Sequence, residues 1–295
     1  MHLSRKTYSV AIPRTREPFV NNWLLSLGIG KDGRERFWIC SYNWNVGGTG
    51  VVSTEDGRCR TYHFGNPAGG YDSACAEGPD TMWLCGKRSF LIRLTPSTGR
   101  WARYETGVND EMVVFRGMAL DRKTHKLFAY SCGKAFSFDI RRRKPVKVYE
   151  GIAAGNHMSL SFRATDGAWW FMTGSPGKFW VRWDPRAETV LVVPMDQPLR
   201  AGAHAHAGMP PLRDDAGRAY LPGLGWFDPV KRKWDPAGHA PEQEANWFAR
   251  RAREAWGASW VGNDVEVVHW DMASGAVSAV CKIPDCQAFN LNMTA

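Results

Sequence analysis

The stretch FWVRWDPRAETVLVV, residues 179–193, decides how this chain is read. Phe179, Val181 and Trp183 alternate with their neighbours and residues 189–193 are mostly β-branched, so the stretch predicts two strands. Between them, Asp184 can accept hydrogen bonds from backbone N–H groups just ahead, and Pro185 presets the φ that a tight turn needs. The same hairpin recurs along the chain. Its turn-opening residues are Ser53, Thr95, Asp139, Asp184, Asp228 and Asp271, at spacings of 42, 44, 45, 44 and 43 residues. A period that steady over six copies marks a repeat architecture.

A looser hairpin precedes each of these. Its turns fall at Asp32 and Gly33, at Asp80, at Asp121, at Asp166 and Gly167, and across 214–218, each followed by an aromatic-rich strand. The sixth copy has no Asp-Gly turn, and PEQEANWFARRAREAWG (241–257) could pass for an amphipathic helix. The period nevertheless places 256–260 in the slot of the other aromatic strands, which favours a strand. No sustained 3.6-residue apolar pattern occurs, and 30 Gly and 17 Pro interrupt the chain too often for a helical solenoid.

Four short antiparallel strands per repeat are the blades of a β-propeller, an all-β fold. Six complete blades are expected, at about 20–66, 70–107, 111–151, 155–196, 201–238 and 244–285, in a single domain over 1–295. Residues 6–13 resemble the outer strands of the blades, and 287–295 stand where another inner strand should begin. They are expected to be strands of an incomplete seventh blade, with an open seam and exposed edges that could support oligomers. On this reading roughly 25 residues, two strands and their turn, are missing after Ala295, or the chain is the N-terminal part of a longer protein.

Hydrophobic residues make up 44% and there are 15 Trp, enough for blades that bury both faces with few residues. The net charge of +9 raises the question of a polyanionic partner. However, the runs 141–144 and 231–233 sit at hairpin turns, where Lys and Arg keep edges soluble, so nucleic acid is not the expected partner. Seven Cys with no C-x-x-C and no zinc spacing point to small buried hydrophobes, notably Cys40, Cys85 and Cys132. Neither a signal-peptide core nor a long apolar run is present, so no membrane partner and a cytoplasmic location are expected.

Propeller topology sends the connections between blades, and those between second and third strands, to one face around the central channel. Ligand sites collect where the inner strands converge. On that face the sequence places His157, His204 and His206, with Arg200, Asp196, Asn156 and Asn246 nearby. His204 and His206 are two apart, so in a strand they point to the same side, with alanines leaving room around the rings. Such imidazoles could bind a divalent metal, serve as general base, or merely satisfy loop carbonyls. His63, His125, His239 and His269 fall in turns or on outer strands and are set aside. No Gly-x-Ser-x-Gly, His-Glu-x-x-His or phosphate-cradling loop is present.

The segments FLIRLTPSTGRWARYE (90–105) and GPDTMWLCG (78–86) resemble the streptogramin B (virginiamycin B) lyase-like propellers, and more loosely the gluconolactonase and quinoprotein-like ones. The resemblance covers the blade framework and implies the propeller fold. In the lyase family the active site includes a Glu-x-His pair, a second His and a magnesium ion. No Glu-x-His occurs in this sequence and the aromatic strands lack the family's closing Glu, so the lyase activity is not carried over. Two readings of function follow. One is a propeller that binds a small molecule or a protein on its channel face. The other is a metal-assisted lyase or hydrolase acting at the imidazole cluster.

Overall fold

Among the described residues, twenty-four strands follow one another as six four-stranded antiparallel sheets, each in simple sequential order. The structure, a computed structural model, describes residues 22–29, 35–41, 49–54, 59–64, 73–78, 80–85, 90–109, 117–131, 133–152, 158–174, 177–194, 211–221, 225–235, 240–243, 245–261 and 264–283. Blade 1 comprises β1 (Asn22–Ile29), β2 (Glu35–Ser41), β3 (Thr49–Thr54) and β4 (Cys59–His63). Blade 2 has β5 (Ser73–Gly78), β6 (Thr81–Cys85), β7 (Phe90–Thr95) and β8 (Arg100–Glu105). In blade 3 come β9 (Gly117–Asp121), β10 (Lys126–Ser131), β11 (Lys134–Asp139) and β12 (Lys144–Tyr149). Blade 4 contains β13 (Met158–Arg163), β14 (Trp169–Gly174), β15 (Gly177–Asp184) and β16 (Thr189–Pro194). Blade 5 is the shortest, with β17 (Leu212–Arg213), β18 (Ala219–Leu221), β19 (Gly225–Asp228) and β20 (Lys233–Asp235). Blade 6 ends the series with β21 (Asn246–Arg251), β22 (Glu254–Val261), β23 (Asp264–Asp271) and β24 (Val277–Ile283). The stretches 6–13 and 287–295, expected in a seventh blade, lie outside the described residues.

The outer hairpin turn explains the period. Asp139 Oδ1 accepts from the N–H groups of Arg141 and Arg142 at 2.9 and 2.8 Å, and Asp184 and Asp228 repeat this with the residues two and three ahead. Four residues after the turn opener the chain passes through the left-handed region, at Gly99, Arg143, Glu188, Arg232 and Gly275. Glycine suits that conformation; a residue with a Cβ adopts it at a cost, which the aspartate's hydrogen bonds help to offset. In blade 6 the inner turn is a strand-to-strand turn as the period required, with Ala252 in the left-handed region.

Two of the turn-opening aspartates, Asp228 and Asp271, titrate low. At Asp228 burial works to raise the pKa but is outweighed by the Lys231 and Val230 N–H groups and the Lys231 side chain. At Asp271 the Ser274 hydroxyl is the largest lowering cause, followed by the Ala273 N–H. A lowered folded-state pKa contributes stability that is complete above the unfolded value, about 3.9, and is lost as pH falls through the folded value. Asp228→Ala should therefore cost about 1 kcal/mol at neutral pH, as loss of a capping oxygen does. Denaturant titrations at pH 7 and pH 2.5 should show the difference shrinking at the lower pH; an equal difference at both would remove the electrostatic part of the account.

The core lies between blades, not within them. Middle strands such as β6 and β11 are apolar on both sides because both sides meet a neighbour, whereas outer strands such as β8 and β12 are mostly exposed. Met82 and Leu84 of β6 face blade 1, packing with Tyr62 and Phe64, while Trp83 faces blade 3 and packs against Phe138. In β15, Val181 and Trp183 face blade 3 and Trp180 faces blade 5. Five such clusters among the described residues fill the five seams from blade 1 to blade 6.

The repeat predicts that Trp38, Trp83, Phe128, Trp170, Tyr220 and Trp256, one on the aromatic strand of each blade, are largely buried; Trp83, Phe128, Trp170 and Tyr220 are, and the side chain of Trp38 is not described. Trp256 is a correction: it is only half-buried. Its neighbour Ala255 takes the seam toward blade 5, so Trp256 points to the far side of the blade, against His269 at 5.4 Å. Cys85 is buried as expected, and no disulfide joins Cys75, Cys85 and Cys281. Among the described residues, no helix is long and apolar enough to cross a membrane.

Candidate functional site

First strands stand side by side at the centre: β1 against β5, β5 against β9, β9 against β13, and β17 against β21. In a propeller the starts of such strands share one face, at the mouth of the channel. The connection leaving blade 3 belongs to this face, since Ile152 N–H donates to the carbonyl of Gly133, in the turn between the second and third strands, at 3.0 Å. At that end, Asn246 opens β21, opposite Ala258. His157, His204, His206, Arg200, Asp196 and Asn156 lie outside the described residues, as does the side chain of Asn246. Met158 opens β13 directly after His157, and β16 ends at Pro194, two residues before Asp196. Among the described residues no group of three His, Cys, Asp or Glu could hold a metal ion.

Two sequence expectations change here. The connection 237–246 was assigned wholly to the channel face, yet Glu242 N–H donates to Gly275 O at 3.0 Å. Residues 240–243 thus lie beside the 271–276 turn, on the opposite face, after the three-residue outer strand β20. His269 stands on the third strand β23, not an outer one, with Nε2 4.0 Å from Glu254 Oε1. As expected, His63 ends β4 and His125 occupies a turn, with a φ of 57°.

On the hairpin-turn face, blades 5 and 6 enclose a cleft of about 560 Å³. Arg218 pairs there with Asp214 through Nε at 2.6 Å and with Asp235 through Nη1. Arg250 reaches across from blade 6 to Arg213 O at 2.7 Å and Asp215 Oδ1 at 2.9 Å. The acids and bases thus largely satisfy one another, and the network fastens one blade to the next. Sequence reading missed this cleft because the contacts that join its two blades, from Arg250 to Arg213 and Asp215, link residues 35 or more apart, with no local motif to mark them.

A second cross-blade polar group sits between blades 3 and 4. Glu188, from the outer turn of blade 4, inserts its carboxylate into blade 3, where it accepts from Ser137 Oγ and Tyr149 Oη at 2.6 Å each. Lys126 Nζ stands 2.5 Å from its other oxygen and also donates to Pro185 O at 2.8 Å. Burial, and then the hydrogen bond to Glu188, push the Tyr149 hydroxyl above its ordinary range. All donors here are spent on one anion, so the group holds a seam and leaves no open position for a substrate.

No family model matches the chain, and no curated protein does so at a significant level. Among solved structures, virginiamycin B lyase from Staphylococcus aureus superposes with a TM-score of 0.60 at 13% identity, covering 90% of this chain and 85% of that one. A catalytically inactive form of the same enzyme with quinupristin gives 0.59 at 13% identity, over 91% and 85%. The dihydro-heme d1 dehydrogenase NirN gives 0.52 at 17% identity, over 87% and 56%. The chain shares the framework of the virginiamycin B lyase propellers. At such identities the likeness is one of fold, and the same fold carries a lyase and a dehydrogenase.

Proposed function

We propose that the chain is a binding propeller that takes a small-molecule or protein ligand at the mouth of its channel. The observation that supports this reading is the side-by-side packing of first strands, β5 with β9, β9 with β13 and β17 with β21, since in a propeller the loops leading into such strands surround one opening. On those loops stand His157, His204 and His206, with Arg200, Asp196, Asn156 and Asn246. Imidazole, guanidinium, carboxylate and amide groups together suit a polar ligand of mixed charge. The framework shared with a lyase favours a second reading, metal-assisted lyase or hydrolase chemistry at the same imidazoles.

Metal content and His204→Ala separate the two. Elemental analysis of purified protein, and thermal shifts with added zinc, manganese and magnesium, are expected to show no stoichiometric metal. His204→Ala is expected to weaken a ligand found by small-molecule thermal-shift screening at least tenfold while leaving unfolding cooperative. One bound metal per chain that is lost in His204→Ala would replace the binding reading with the metal-assisted one. Unchanged ligand affinity in His204→Ala would remove the imidazoles from the site.

A further inference from the structure

Charge on the hairpin-turn face is not what the sequence balance suggests. Turn by turn, each outer hairpin of blades 3, 4 and 5 sets acids against its bases: Asp139 with Arg141, Arg142, Arg143 and Lys144; Asp184 and Glu188 with Arg186; Asp228 with Lys231, Arg232 and Lys233. In the fold the acids turn inward. Asp139 and Asp228 bind their own turn's N–H groups and are 17% and 18% exposed, Asp184 does the same, and Glu188 is sunk into blade 3. The bases point out, with Arg142 at 76% and Lys231 at 77% exposure and the other six also exposed. Among the described residues, no carboxylate pairs with Arg141, Arg143, Lys144, Arg186 or Lys233.

Edge protection alone does not account for this. The same turn in blade 2 is Pro-Ser-Thr-Gly (96–99) and in blade 6 is Met-Ala-Ser-Gly (272–275), neither with a charge. Blade 2 keeps one exposed cation just past its turn, Arg100, so cations are concentrated on three consecutive blades, and those blades adjoin. Lys126 and Lys147 of blade 3 bind the carbonyls of Pro185 and Glu188 in the turn of blade 4, while Arg232 of blade 5 acts on Asp166 of blade 4.

We propose that the outer turns of blades 3, 4 and 5 form a continuous basic arc that binds the phosphate backbone of a nucleic acid. Five of the eight cations are arginines, whose planar fork matches phosphate oxygens. Val230, 61% exposed, is the one exposed large apolar side chain among these turns, so nothing there is built to enter a bilayer. No exposed aromatic ring accompanies the cations, so contacts fall on phosphate and carry no base reading. This surface is opposite the channel mouth and stands or falls independently of the proposed ligand site.

Fluorescence anisotropy with a labelled 20-base-pair duplex and a labelled 20-nucleotide single strand tests this directly. Binding is expected at 50 mM salt and should weaken about 500-fold by 200 mM for roughly five neutralised phosphates. A variant combining Arg141→Ser, Arg142→Ser and Arg143→Gly should lower the salt slope by about 2 to 3; Gly is chosen at 143 because φ there is 56°. Arg103→Ser, on the outer strand β8 away from the turns, should leave binding unchanged. Absence of binding at 50 mM salt, equal slopes for the wild type and the triple variant, or binding to phosphatidylserine vesicles without binding to either oligonucleotide would each overturn the proposal. Thermal unfolding of every variant verifies that loss of binding is not loss of fold.

Discussion

Replacing Glu188 by alanine is expected to destabilise the protein by about 3 kcal/mol, an outer-turn substitution with the effect of a core one. The reason is what remains. Lys126 and Glu188 are only 19% and 16% exposed, and removing the carboxylate leaves a mostly buried ammonium without its partner. Ser137 and Tyr149 lose their acceptor in the same step. Glu188→Gln keeps an oxygen for the two hydroxyls and removes only the charge, so it should cost less. In Glu188→Gly the backbone gains, since φ at this position is 53°, and the vacated slot faces three donors. Acetate should therefore raise the melting temperature of Glu188→Gly where chloride at equal ionic strength does not, by mass action on the folded state. Denaturant melts check both parts; a loss below 1 kcal/mol in Glu188→Ala would show that the seam does not depend on this anion. Tyr149 adds an alkaline limit. Its raised folded pKa means the stability it contributes is complete below the unfolded value, about 10, and is lost as pH rises above that.

Glu188 also shows where sequence reading stops. Residues 184–189 announce a turn because Asp184, Pro185 and the following β-branched strand act within a few residues of one another. Local chemistry of that kind made the blade period readable, and even the atypical inner turn of blade 6 was placed correctly by spacing. That Glu188 points into blade 3 follows from Ser137, Tyr149 and Lys126, up to 62 positions earlier, and from which side of β10, β11 and β12 each occupies. Trp256 fails for the same reason. Its strand was legible, but the side it faces depends on the register of β21 and β22, which carries a bulge between Trp247 and Ala249. Residues 240–243 lie beside the 271–276 turn after a three-residue β20, and neighbouring blades gave no hint of that.

Truncating Trp170 to alanine should cost about 3–5 kcal/mol, the range for removing a large buried aromatic. It stands on β14, fully buried, and meets Trp180 of its own blade at 6.1 Å and Phe227 of blade 5 at 5.4 Å, both edge to face. Trp180 stacks on the same Phe227 at 4.7 Å, so the three rings are one packing unit spanning the seam. Deleting the middle ring opens a void that strands on both sides cannot fill, because each is held in register by its own blade's hydrogen bonds. Trp170→Phe offers a sharper test. The Trp170 indole N–H has no hydrogen-bond partner, so phenylalanine loses volume but strands no acceptor, and the cost should stay below about 1.5 kcal/mol. Trp83 differs, since its Nε1–H donates to Glu77 Oε2 at 2.8 Å, and Trp83→Phe forfeits that bond as well as volume. Trp83→Phe should accordingly be the more damaging of the two, by about 1 kcal/mol. If the two phenylalanine variants melt alike while both alanine variants fall by several kcal/mol, the seams are held by ring packing alone and the indole hydrogen bond contributes nothing.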